Sequence, residues 1–588
     1  MNSIRLSCRH LTSAALALGL CLGSIGCGGP ESGGNDGGNA GGKNAASGGN
    51  SSDVEGSGLE GRPHAADAGD TLTIALIGDA DSMLPMVGQS VNGSMVYDLL
   101  VPPATTSDFQ DGRILFNPGL AKSYSWNDDH TELTYELKDD CYWDDDSGKV
   151  VNAEDIRYNY ELIADPDVKS PRQNHVERLD PKNPVEVLDE FRVRFHFQYA
   201  YNEQTMLAHA GFNISPKHLL EKYDRASLIS CDLSKKRAVG HGPFRFLKWD
   251  PKQSITIVRN PKSKTYAVPY VKRIVFKIIP EYQTRLVELK KGDIDMMDAV
   301  QEKDIEEVLS WGSVKLYERG YRFLDYVAWN MQNPLFAERD ARRALTLAID
   351  IERIIKTILT FGGKTYGTKA YSTFTPELSD YRVDDITLLP HDPAQAKTLL
   401  AGLGWKDTDN DGFLDKDGKR FEFVLVTNQG NPRRSDACVL IQEDLKKIGI
   451  KVNLEQREGV TFFDDLSKKN YEAALAGWSA SLFPDPSDVW GSATETENRL
   501  FNFTAYSNAR VDELIAKGLK TKDGAEEAKI WQEMQRIIYE DQPYTFLYWK
   551  TSTVPLHKRF RDYKPNVLSV LHGIENVWVP KAEHKSKH

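Results

Sequence analysis

Cysteine is scarce in this chain: six in 588 residues, with Cys8, Cys21 and Cys27 crowded at the start. The other three, Cys141, Cys231 and Cys438, are odd in number, so at most one bridge can form among them. Cys141 with Cys231 is the pair if one forms. Three buried free thiols is the favoured reading, because a body this large needs no staples. Positive charge is also short. Lys and Arg number 73 against 85 Asp and Glu, a formal net charge of -12, which argues against the basic face that binds nucleic acid. After residue 26 no apolar run approaches the ~18 residues of a spanning helix, so nothing in the body should cross a membrane. Catalytic signatures are missing too: no His-Glu-x-x-His, no Gly-x-Ser-x-Gly, no Walker lysine motif and no Cys-x-x-Cys. Gly477-Trp478-Ser479-Ala480-Ser481 ends in Ser where a nucleophile elbow would close with Gly. Scattered acids define no glycosidase pair by sequence spacing. An enzyme is not expected.

What is present begins at the N-terminus. Arg5 and Arg9 precede an apolar stretch over 11–25, too short to span a bilayer, that ends at Gly26-Cys27. This is the pattern of a secretory signal peptide covering 1–26. Ile25-Gly26-Cys27 resembles a lipobox, with Ser24 where Leu is usual, so Cys27 is the expected lipidation site. Ordinary cleavage nearby, leaving Cys27 as a free thiol, is the alternative. Residues 27–66 are rich in Gly, Asn and Ser and cannot bury a core, so they read as a disordered linker. A coil of this kind reaches about 30 Å, enough to hold a body clear of lipid headgroups. The expected location is the periplasmic or cell-surface side, anchored to a membrane by the N-terminal lipid.

Hydrophobic content of 40% and charged content of 27% are those of a globular body, and its length calls for at least two lobes. Thr71–Leu76 reads as its first strand. Over Glu132–Leu137, Leu133, Tyr135 and Leu137 alternate with polar neighbours, the period of a half-buried strand. The acidic run from Asp139 to Asp146 is read as a solvated hairpin tip rather than a metal site. A helix follows with Asn152 as N-cap, Asp155 at N3 and Ile156, Tyr160 and Ile163 on one face. Ala344, Ala348, Ile351, Ile355 and Ile358 recur in 4-3-4-3 steps, which predicts one helix burying one stripe. A long helix is expected over 525–539 and a buried strand over 544–549.

The loop Asp407-Thr408-Asp409-Asn410-Asp411-Gly412-Phe413-Leu414-Asp415 has acids at positions 1, 3, 5 and 9 and Gly at 6, the spacing that wraps oxygens around calcium. Position 12, where an EF-hand carries Glu, is Gly418. Structural calcium on Asp407, Asp409, Asp411 and Asp415 is one reading; a metal-free Asx-type turn is the other, and the favoured one.

A series of motifs runs in order along the body: Leu120 to Trp126 with Asp128-Asp129, Trp143 and Asn152-Ala153-Glu154-Asp155; then Gly240-His241-Gly242-Pro243-Phe244, with Trp249 and Asn260-Pro261. Lys291-Gly292-Asp293-Ile294-Asp295 and Asp340-Ala341-Arg342-Arg343-Ala344-Leu345 follow. Gly477-Trp478, Pro484-Asp485-Pro486 and Tyr506-Ser507-Asn508 complete the series. Together these resemble the bacterial extracellular solute-binding proteins of family 5, the oligopeptide-, dipeptide- and nickel-binding components of ABC importers. The resemblance implies an α/β, two-lobed periplasmic-binding-protein-like (type II) fold with mixed sheets, an extra subdomain in the N-terminal lobe and a hinge. Lobe I would span 67–322, lobe II 323–490, the return to lobe I 491–580 and a tail 581–588, with crossings near 321–330 and 477–490.

On that reading Tyr326, Trp329, Trp478, Ser479 and Ser481 are the candidates for the ligand cleft, whose walls are commonly aromatic with a few polar groups. Tyr326 and Trp329 read equally well as interlobe core; the resemblance places Trp478 on the cleft. Peptide-binding relatives carry an Asp three residues after this Trp, paired with the peptide ammonium, where this chain has Ser481. A desolvated ammonium needs a partner, so either Asp485 or Asp488 replaces it or the cargo has no free amine there. No His cluster supports nickel. The implied function is a monomeric substrate-binding lipoprotein, with no required cofactor, that passes a peptide or peptide-like solute to an ABC permease. A surface receptor or sensor on the same fold, transporting nothing, is the alternative.

Overall fold

Thr71–Leu76 is a strand over the residues its apolar pattern predicts, and it pairs in parallel with Arg273–Ile278. The computed structural model describes residues 69–483, 485–494, 499 and 501–585; the signal, Cys27 and linker expectations lie outside them. From this first pair a four-stranded sheet continues through Ser254–Arg259 to Phe244–Asp250. A second four-stranded sheet, ordered Ala121–Trp126, Glu132–Leu137, Arg192–His196, Val185–Asp189, forms the extra subdomain. There Leu133, Tyr135 and Leu137 are fully buried, as the alternation requires. The following helix, Ala153–Ala164, opens on a capping box in which Asn152 and Asp155 bond each other's backbone N–H. One apolar core runs under both sheets. Gly240 lets the chain press against it, since an added Cβ would lie 2.2 Å from the Leu100 carbonyl oxygen. Cys141, Cys231 and Cys438 are free and buried.

The second lobe is built on a six-stranded mixed sheet, ordered Gly367–Lys369, Tyr544–His557, Val314–Trp329, Ala473–Ser479, Glu422–Asn428, Lys451–Arg457. The two longest strands connect the lobes. Val314 packs in the first lobe, while Leu324 and Tyr326 pack in the second. Tyr544–His557 runs back antiparallel, from Tyr544 in the second lobe to Leu556 in the first.

Two expectations need correction. The chain does not re-enter lobe I near 477–490: the helices Ala509–Gly518 and Gly524–Asp541 stay with lobe II, where Leu514, Trp531, Met534 and Ile538 share a cluster with Tyr326. The return crossing is Tyr544–His557, after which Phe560, Tyr563 and the stretch from Val570 to Val579 join the first core, while Val567 packs with the second. The stripe from Ala344 to Ile358 belongs to two helices, Arg339–Ala348 and Ile351–Ile358. Between them Ile349 is extended, and the Asp350 carboxylate caps the Arg353 N–H of the new helix. A favourable cap outweighs an apolar period that would have continued unbroken.

Candidate functional site

Where the crossing strand Val314–Trp329 enters lobe II, its register sets Leu324 opposite Trp478 and Tyr326 opposite Ala476 and Phe546. The alternation of a strand puts Leu324, Tyr326 and Trp478 on one face. Tyr326 stacks on Tyr544 with ring centroids 3.9 Å apart and on Trp478 at 6.1 Å. Trp478 continues onto Phe503 at 5.1 Å and meets the edge of Phe501 at 5.7 Å. The result is an aromatic wall whose inner layer, Tyr326, Tyr544 and Phe503, is buried core, with Trp478 and Phe501 partly open. The hydroxyls of Tyr326 and Tyr544 and the Trp478 indole N–H make no well-formed hydrogen bond among the described residues. Burial pushes both phenols up, so both stay neutral donors.

The other candidates fall apart from this wall. Trp329, three residues beyond Tyr326, faces the opposite core, where it packs against Phe336 and Phe423 and donates to Thr545 Oγ1 at 3.1 Å. Ser479 is exposed at the strand's end. Ser481 closes its own loop: Oγ donates to the Phe483 carbonyl at 2.6 Å and accepts the Phe483 N–H at 3.1 Å. Of the two acids nearby, Asp485 forms an ion pair with Arg178 of the extra subdomain, and Asp488 lies 3.8 Å from Arg499.

Sequence reasoning missed the charged group behind the wall. Asp325, 2% exposed, receives Arg433 at 2.8 Å, Arg434 at 2.9 Å and the Tyr548 hydroxyl at 2.9 Å. Desolvation alone would raise its carboxyl, but the two guanidiniums outweigh it and hold the group well below the usual carboxylate range. This pairing explains Gly477: an added Cβ would lie 2.3 Å from both Asp325 Oδ1 and Arg434 Nη2. A charged residue inside the apolar run Phe323-Leu324-Asp325-Tyr326-Val327 was the available signal, with Arg433-Arg434 opening the helix Pro432–Lys447 as its complement.

Contacts across the junction join the lobes directly. Arg113 pairs with Asp380 at 2.8 Å, and the Ser379 N–H donates to the Gly112 carbonyl at 3.0 Å. Asn202 Nδ2 donates to Glu527 Oε1 at 2.7 Å. Glu527 also accepts from Trp531 Nε1 and Tyr381, and among the described residues it has no ion-pair partner; desolvation pushes its carboxyl up to about 7.

In the Asp-rich loop, oxygens of Asp407, Asp409 and Asp415 come within 4.8 Å of one another, whereas Asp411 turns to Arg420. Each carboxylate already accepts a backbone N–H: Asp407 from Gly412, Asp409 from Asp411, Asp411 from Phe413 and Asp415 from Thr408. Three acids are fewer than the roughly six to eight oxygens a calcium ion takes, so backbone carbonyls or waters would have to complete the shell.

A model of the family described as "Bacterial extracellular solute-binding proteins, family 5 Middle" matches residues 116–499. The oligopeptide-binding protein AppA of Bacillus subtilis is 32% identical over 437 residues, 74% of this chain and 78% of that protein. A structure of AppA in complex with a nonapeptide aligns with TM-score 0.69 at 30% identity, covering 87% of this chain and 99% of that one. NikZ from Campylobacter jejuni, in complex with Ni(L-His), aligns with TM-score 0.71 at 24% identity over the same shares of each chain, a likeness of fold. A match spanning the extra subdomain and the second lobe alike is one of whole architecture, and by it this chain belongs to the bacterial extracellular solute-binding proteins of family 5, with their type II periplasmic-binding-protein fold.

Proposed function

We propose that this protein captures a peptide or peptide-like solute between its lobes and delivers it to an ABC permease, held at the membrane by a lipid on Cys27. The observation that carries the reading is the likeness to AppA, an oligopeptide-binding protein whose structure holds a nonapeptide. The partly open Trp478 and Phe501 support it, because a sequence-tolerant binder needs apolar faces more than a fixed set of side-chain pockets. Among the described residues no helix is long and apolar enough to cross the membrane, which agrees with attachment through a lipid. The cargo's ammonium, where it has one, is not met by a carboxylate at position 481, since Ser481 stands there and bonds its own loop.

Native mass spectrometry of the full-length protein, extracted in mild detergent, tests both halves. The expected spectrum shows a diacylglyceryl-modified N-terminus beginning at Cys27 and a heterogeneous ladder of short peptides released on unfolding. A single non-peptide cargo would move the protein to another solute class. An unmodified N-terminus would remove the anchor while leaving the binding function standing.

A further inference from the structure

Buried or half-buried arginines in this molecule generally have their charge matched. Arg433 and Arg434 share Asp325, and Arg559 is paired with Asp70 and Asp295. Arg285 and Arg342 stand singly and give their N–H groups to nearby carbonyls. Arg319 and Arg322 differ in standing side by side, on the carbonyls of two successive residues. They lie together on the crossing strand just before the aromatic wall, and among the described residues neither forms an ion pair. Arg319 Nε donates to the Asn566 carbonyl at 3.3 Å, and Arg322 Nη1 to the Val567 carbonyl at 2.8 Å. Arg322 Nε is shut off from solvent and has no partner. A guanidinium has five N–H groups, so most of the donors on these two side chains are uncommitted.

The position is also unusual. The pairing of the crossing strand with Tyr544–His557 is interrupted between Glu318 and Tyr321 and again between Tyr321 and Phe323, so this stretch is bulged. Bulges re-aim side chains and recur beside functional sites. Val567, whose carbonyl holds Arg322, packs in the same cluster as Tyr326 and Phe503, and Trp478 packs against that cluster. Arg322 is therefore tied, through Val567, to the cluster that holds the wall. The acids nearest in reach are not engaged with them: Glu377 accepts the Tyr321 N–H at 2.8 Å, and Asp298 acts on Arg319 only as a more distant charge. Desolvation, then the neighbouring charge of Arg319, pushes Arg322 down to about 10; desolvation lowers Arg319 as well. Two like charges drawn half out of water beside one another are unfavourable until an anion joins them.

We infer that Arg319 and Arg322 form an anion subsite on the strand that crosses between the lobes, which takes a carboxylate of the solute while the partly open Trp478 borders its apolar part. This deepens the solute-binding reading and rests on it. The planar forks of two guanidiniums suit the two oxygens of a carboxylate, and an ammonium on Lys could not reproduce that geometry. The wall is sequence-tolerant; the subsite would fix the cargo's direction and select acids over neutral analogues.

The test uses the detergent-extracted full chain, stripped of cargo by reversible unfolding, and calorimetric titration with three probes: a pool of short peptides as free acids, the same pool as C-terminal amides, and a set of dicarboxylates and tricarboxylates. The free-acid pool is expected to bind at least about tenfold more tightly than the amide pool, a difference typical of charge-assisted hydrogen bonds. In Arg319→Gln and Arg322→Gln that preference should fall below about threefold, with amide binding unchanged. Arg322→Lys keeps the charge and should recover only part of the preference, a readout that a purely structural role would not give. Equal binding of both pools to the natural protein overturns the subsite and leaves peptide capture intact. Binding of small polycarboxylates alone, dependent on both arginines, upholds the subsite and removes the peptide reading. No binding by any carboxylate overturns the proposal.

Discussion

Two stretches of one strand handle charge in opposite ways. At Asp325 a buried carboxylate meets two guanidiniums and a phenol, and the surrounding chain conforms to it, down to a glycine at 477. Three residues earlier, Arg322 and its neighbour Arg319 bond only backbone carbonyls among the described residues. A cluster completed within the protein serves the fold, and it resists change because removing one partner strands the others. An incomplete cluster contributes little to the fold and keeps its donors for something else. The comparison separates architecture from recognition without any reference to the ligand.

The sharpest way to break it is to remove one charge from each stretch. Asp325→Ala leaves Arg433 and Arg434 facing one another without a counter-charge, and it should lower unfolding stability by about 3–5 kcal/mol. Arg322→Gln should change it by less than about 1 kcal/mol, or raise it, because the charge removed is uncompensated. Urea unfolding followed by tryptophan fluorescence measures both; similar losses in the two variants would erase the distinction. The pH dependence adds a sign. The folded carboxyl of Asp325 lies below its unfolded value of about 3.9. Its contribution is therefore full above that value and is lost only as pH falls toward the folded one.

Glu527 sharpens the same contrast from the acidic side, with a smaller effect. It is buried, accepts three neutral hydrogen bonds and has no ion-pair partner among the described residues. Its folded pKa of about 7 is above the unfolded carboxylate value of about 4.3. Stability from this residue is present below about 4.3 and declines as pH rises to about 7, after which the loss is complete. Glu527→Gln should flatten that slope and leave the protein up to about 3 kcal/mol more stable at pH 8 than the natural chain. Because Asn202 reaches Glu527 from the other lobe, the ionised form should also loosen the junction. Amide hydrogen exchange around 202–210, faster at pH 8 than at pH 6 only in the natural protein, checks it. An unchanged slope in the Gln variant would remove Glu527 from the account.

Much of the fold was legible because local rules agreed with one another. Thr71–Leu76 and Glu132–Leu137 were set by apolar alternation, and Ala153–Ala164 by its capping box. The lobe boundary was not, since the apolar faces of Ala509–Gly518 and Gly524–Asp541 say that these helices are buried but not against which core. Of the residues singled out in the sequence, Tyr326 and Trp478 pack against one another. Trp329 could have been set apart from Tyr326 in advance: an odd spacing in a strand puts two side chains on opposite faces. Asp325 stands out as a charge inside an apolar run, whereas Arg319 and Arg322, in a chain this charged, carry little signal until their surroundings, far away in sequence, are known.

The Asp-rich loop gives the comparison its weakest limb. Asp407, Asp409 and Asp411 are exposed, so their repulsion is screened by water, and no partner is needed to make the cluster tolerable. Each carboxylate also caps a backbone N–H, which helps to hold the turn in shape. A cation bound here would replace hydration and not relieve a buried charge, so its effect on folding should be small. Calcium at about its millimolar extracellular level should raise the melting temperature by only about 1 °C, and Asp409→Asn should leave the melting temperature unchanged in its absence. A rise several times larger, lost in that variant, would show that this exposed cluster too is completed from outside, as Arg319 and Arg322 are inferred to be.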